Sequence, residues 1–97
     1  MKNLAIPTVH LGGSSADSLM EGLKDAATAV MIAHEALQNA GPNARDYYVQ
    51  SPEAWTLAEN QHRSRTEKIK SVYDDIVAIY EAVFEQFSEH EERRRTR

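Results

Sequence analysis

The sequence has no cysteine. That excludes a disulfide framework, a thiolate metal site and a cysteine nucleophile, and it fits a cytoplasmic protein. Glycine and proline are scarce, with four and three copies among 97 residues, so few places can break a helix. Long apolar runs are missing too. Nothing approaches the roughly 20 residues needed to span a bilayer as a helix, and segment 1–11, with one lysine and Pro7 interrupting its short apolar stretch, does not read as a signal peptide. Positive charge is not in excess. A formal net charge of −4 argues against binding long nucleic acid, which requires a basic surface.

What is present is helical pattern. The 41% of hydrophobic residues includes much alanine, which buries little area. A chain this short forms one small domain. The first residues read as an extended arm over 1–14, with Pro7 blocking helix and apolar residues alternating. Gly12-Gly13 ends it, and Ser14, Ser15 and Asp17 have capping-box-like spacing. Helix 1 is predicted over 15–40, with Leu19, Leu23, Ala26, Val30, Ala33 and Leu37 forming one stripe that Met20, Ala27 and Met31 widen. Gly41-Pro42 stops it, with glycine suited to a left-handed position. A loop over 41–51 follows. Ser51-Pro52-Glu53 supplies a cap, a proline at the first helical position and an acid at the positive helix end.

Helix 2 is predicted over 52–92, with a basic tail over 93–97. Its stripe runs Trp55, Ala58, His62, Ile69, Val72, Tyr73, Ile76, Ile79, Tyr80, Val83 and Phe87. The fold class is therefore all-α: an antiparallel helical hairpin with an extended N-terminal arm. Two helices shield only one seam each, so the reading includes assembly into an oligomeric bundle. Counting from the loop, Leu19 is expected to face Asp75, Glu35 to face Glu59, and Ile76–Phe87 to overhang helix 1.

Between Ala58 and Ile69 the stripe fails, and ten successive residues lack an aliphatic side chain. One reading is a solvated face whose arginines pair with Glu59, Glu67 and Asp46. The other is a polar cavity opposite Ala26, Ala27 and Ala33. Three chemistries suit such a cavity. Arg45, Arg63, Arg65 and Lys68, with Tyr47, Tyr48 and Trp55, combine guanidinium groups for phosphate with rings for stacking. His10, His62 and Asn43 add hydrogen-bonding groups, and the set fits a small nucleotide. Glu59-x-x-His62 with Glu35 has the composition of a di-metal carboxylate bundle of ferritin-like type, if two copies combine their sets. Catalysis has weaker support. Four histidines and several serines are present, but no motif ties a nucleophile to a base. No catalytic residue and no cofactor are assigned.

Two stretches, IPTVHLGGSSADSL near the start and PNARDYY in the loop, together resemble small, uncharacterised helical proteins encoded by phages and prophages. In these a Pro-Thr-Val-His-Leu lead-in precedes a helix, and a Pro-Asn-x-Arg-Asp-Tyr-Tyr loop follows it. The resemblance implies an accessory protein of phage type, acting by stoichiometric binding of a host protein or a host signalling nucleotide to counter host defence. A purely structural assembly protein is the alternative.

Overall fold

The computed structural model describes residues 3–95. It is an all-α hairpin of two long helices, α1 (Ala16–Asn39) and α2 (Pro52–Arg95), joined by a connection with a short 3-10 turn, Ala44–Asp46. Residues 3–10 form an irregular lead-in without helix, and a turn follows. The molecule measures 72 × 24 × 22 Å. That length is set by the 44 residues of α2, or about 66 Å at 1.5 Å per residue. No helix among the described residues is long and apolar enough to cross a membrane.

Local chemistry explains the helix ends. The Ser15 hydroxyl accepts a hydrogen bond from the Ser18 N–H at 3.1 Å, and Asp17 sits in the first turn. Ser15 is thus the cap of α1, satisfying an N–H that has no partner within the helix. Ser51 does the same for α2, accepting from the Ala54 N–H at 3.0 Å, with Pro52 as the first helical residue. The stop after α1 works differently from the sequence expectation. No glycine among the described residues has a positive φ, so Gly41 is not a left-handed terminator. A Cβ there would lie 3.2 Å from the Gln38 carbonyl oxygen and 3.4 Å from His62 Nε2. Gly41 thus leaves room for a close approach that a side chain would crowd. The 93–97 tail is also helical as far as Arg95; its last two residues lie outside the described range.

The helices meet along seams with spacings of three and four residues. On α1 the less exposed positions include Ala16, Met20, Leu23, Ala27, Val30, His34 and Leu37. The sequence stripe included Ala26 and Ala33, but both are exposed; the seam keeps the 3.5-residue repeat of supercoiled helices, which selects their neighbours Ala27 and His34. On α2 the seam runs through Trp55, Ala58, His62, Thr66, Ile69, Tyr73, Ile76, Tyr80, Val83 and Phe87, while Val72 is exposed.

The helices are also slid along each other relative to the count from the loop. That count places Gly41 level with Glu53, whereas Gly41 packs against His62, and Met31 shares a groove with Tyr73. The shift is about two and a half turns. Its cause is the connection, which folds back over the start of α2 so that the Tyr47 and Trp55 rings lie 6.2 Å apart. Leu19 therefore stands near the level of Phe84 rather than Asp75. The segment Ile76–Phe87 does not overhang α1, and the first turns of α2 are covered by the loop.

At the far end the lead-in docks on α2. Gln86 accepts from the Val9 N–H at 2.9 Å through Oε1 and donates to the Pro7 carbonyl at 2.8 Å through Nε2. One turn earlier, Val83 is fully enclosed, and Ala16 is the other buried apolar residue among those described.

Candidate functional site

The polar interruption of α2 resolves into two kinds of position. Glu59, Asn60, Gln61, Arg63, Ser64, Arg65, Glu67 and Lys68 are exposed. His62 and Thr66 occupy the seam itself, half-buried. The stretch does not face Ala26 and Ala33. Because of the shifted register, His62 meets the end of α1 and the start of the loop.

His62 divides two open clefts at the loop end of the hairpin. The first, about 330 Å3, is lined by Tyr47, Gln50, Gln61, His62 and Arg65 with the apolar surfaces of Ala40, Pro42, Ala54, Leu57 and Ala58. The second, about 320 Å3, is lined by Gln38, Gly41, Pro42, Trp55, Glu59, His62, Arg63 and Thr66. Pro42 and His62 form the wall common to both. Volumes of this size fall at the lower end of the range for small-ligand sites.

The first cleft is lined by one charged side chain, Arg65, and the second by Arg63 and Glu59. Among the described residues, Arg45, Arg63 and Arg65 form no ion pair. Arg63 donates to the Asn60 side-chain oxygen at 3.4 Å. The pairing with Glu59, Glu67 and Asp46 that a solvated face suggests is not formed. Arg65 borders the first cleft together with Tyr47, so a cationic and an aromatic residue line the same space.

His62 Nε2 is the one described buried side-chain nitrogen or oxygen without a hydrogen-bond partner. Leaving such an atom unsatisfied costs about 1–3 kcal/mol, and orphaned buried polar atoms are rare enough in folded proteins to call for a specific reason. Here the atom lies under Gly41, at the hinge between α1 and the loop.

The structure brings together only part of the set read from the sequence. Tyr47, His62 and Arg65 line one cleft, and Trp55, His62 and Arg63 the other. The two arginines point to opposite sides, since two residues along a helix turn by about 200°. Asn43, Arg45 and Tyr48 stand exposed on the loop and line neither cleft. His10 is not part of the site. It belongs to the lead-in held at Gln86, roughly 36 Å along α2 from His62, where its Nδ1 accepts from the Gly12 N–H.

Glu59 and His62 border the second cleft, as their spacing requires, but Glu35 lies in a separate groove with Lys24 and Tyr73. The register shift removes the reason for placing Glu35 opposite Glu59. Within one chain, no group of three or more His, Asp or Glu side chains among the described residues gathers closely enough to hold a metal ion. Gln50 and Gln61 are lining residues that the sequence did not single out; the fold-back of the loop, invisible in helical periodicity, places them there.

Comparison of the chain with family models, curated proteins and solved structures returns no match.

Proposed function

We propose that this chain is a non-enzymatic binding protein of phage type. It acts as a homo-oligomer in the cytoplasm of the host cell and holds a small phosphate-bearing, nucleotide-like ligand at the loop end of the hairpin. The observation that carries this reading is the guanidinium of Arg65, which forms no ion pair among the described residues, in the lining of a cleft it shares with Tyr47 and His62. Arg65 suits a phosphate through paired N–H donors, and Tyr47 suits a base by stacking. Gln50 and Gln61 supply amides that can both donate and accept. The likeness of the lead-in and loop motifs to phage-encoded proteins supports a role in countering a host defence.

The test is calorimetric titration of the intact protein with inorganic phosphate, nucleoside monophosphates and dinucleotides. Arg65→Ala and Tyr47→Ala are each expected to weaken binding at least tenfold, with far-UV circular dichroism unchanged. If neither substitution alters any titration, the placement is wrong. A host protein retained by the parent and lost by the same variants, with no small molecule bound, assigns the surface to a macromolecular partner instead.

A further inference from the structure

The corner between the lead-in and α1 carries a histidine where such turns ordinarily place asparagine or aspartate. His10, Leu11, Gly12 and Gly13 form a four-residue turn, closed by the Gly13 N–H donating to the His10 carbonyl at 3.2 Å. The first position of this kind of turn favours Asn, Asp and Ser, whose side chains accept from the N–H two residues on. His10 makes the same bond with its ring: Nδ1 accepts from the Gly12 N–H at 3.2 Å. The ring also lies against the glycine pair. A Cβ on Gly13 would stand 2.9 Å from Nε2, and one on Gly12 3.5 Å from Nδ1. Glycine at position 13 therefore leaves the space in which the imidazole sits.

This bond requires one charge state of the ring. An imidazole nitrogen accepts a hydrogen bond only while it carries no proton, so the bonded ring is neutral with its proton on Nε2. An imidazolium has two donors and no acceptor, and its Nδ1–H would point at the Gly12 N–H. Packing does not hold the corner in its place. Leu11, at the tip, is fully exposed, and His10, Gly12 and Gly13 are exposed as well. The arm takes its direction from this corner. The two bonds that Gln86 makes to it, at the Pro7 carbonyl and the Val9 N–H, fall within the three residues before His10.

We propose that His10 is a pH-sensitive latch for the N-terminal arm. The neutral imidazole folds the turn 10–13 and directs residues 7–9 onto Gln86; protonation removes the acceptor, opens the turn and loosens the arm. Histidine is the side chain that ordinarily changes charge between about pH 5 and 8, so the latch is closed at the upper end of that window and released as the pH falls. The ionisable groups on the elements beside the turn are Asp17 and Glu21 of α1 and Glu85, Glu89 and His90 of α2. Among the described residues none of them bonds to the imidazole, and none returns a lone pair to a protonated Nδ1. The latch lies at the end of the hairpin away from the clefts and does not depend on what they bind.

Nuclear magnetic resonance of the intact, nitrogen-15-labelled protein tests the latch. At about pH 8 the His10 ring is expected to carry its proton on Nε2 and none on Nδ1; the opposite tautomer overturns the proposal. The second readout is the protection factor of the Val9 amide, its exchange measured against the intrinsic rate at the same pH. It is expected to fall about two- to tenfold between about pH 8 and pH 5, as the loss of one exposed hydrogen bond allows. Asparagine offers the Gly12 N–H an acceptor that does not titrate. His10→Asn is therefore expected to keep the protection of the neutral parent at both pH values, and His10→Ala to show the lower protection at both. Protection in the parent that does not change with pH, or a fall in His10→Asn as large as the parent's, overturns the proposal.

Discussion

Gln86 grips the backbone on either side of Thr8, accepting from the Val9 N–H and donating to the Pro7 carbonyl with the two ends of one amide. The pairing links residues 77 positions apart and closes the hairpin at the end away from the loop. Gln86→Ala removes both bonds and is expected to cost about 1–3 kcal/mol, at roughly 1 kcal/mol for each part-buried bond. Gln86→Glu keeps the acceptor but loses the donor to Pro7. Amide hydrogen exchange at Val9 is the direct readout: both variants should speed it, Gln86→Ala more. Unchanged exchange in Gln86→Ala means the arm is held by something else.

His62→Leu separates fold from function. Replacing a seam residue that carries an unsatisfied nitrogen by an apolar side chain is expected to leave stability unchanged or raise it by about 1–2 kcal/mol. For a domain of this size that is a rise in Tm of several degrees, at about 4–8 °C per kcal/mol. Ligand titration should weaken at the same time. A clear fall in Tm shows that His62 is satisfied and structural.

Gly41→Ala tests the close approach at the hinge. The added Cβ meets the Gln38 carbonyl oxygen at 3.2 Å and His62 Nε2 at 3.4 Å, so neighbouring backbone must give way. A loss of about 0.5–1.5 kcal/mol in denaturant unfolding is expected. A gain, as seen when alanine replaces glycine at an unstrained site, contradicts the packing described here.

Val83→Ala is expected to be the most costly single truncation on α2, about 2 kcal/mol, because the side chain is fully enclosed. Leu57→Ala, at 57% exposure, should stay within about 0.5 kcal/mol. Equal effects in thermal unfolding show that Val83 is not where the packing concentrates.

The hairpin was legible because helix signals are local. Ser15, Ser51 and Pro52 act on their own first turns, and the residues that bound each helix stand within a few positions of its ends. The relative slide of the helices was not legible. It depends on Tyr47 meeting Trp55 across the connection, a packing event that no periodicity encodes. That single error moved Glu35 away from Glu59 and placed the polar stretch against the wrong alanines. Of the residues singled out by type, Tyr47, His62 and Arg65 line one cleft, while the arm's position at Gln86 puts His10 at the opposite end. Gly41 carried a correct boundary for a different physical reason, close approach rather than backbone handedness.

The central claim is that the cleft bounded by Tyr47, His62 and Arg65 holds a small phosphate-bearing molecule. Native mass spectrometry of the protein taken directly from cells tests it most directly. The prediction is a stoichiometric added mass, yielding a phosphate fragment on activation, that is absent from the Arg65→Ala protein. A bare chain mass in every oligomer, or an added mass that Arg65→Ala retains in full, contradicts the claim.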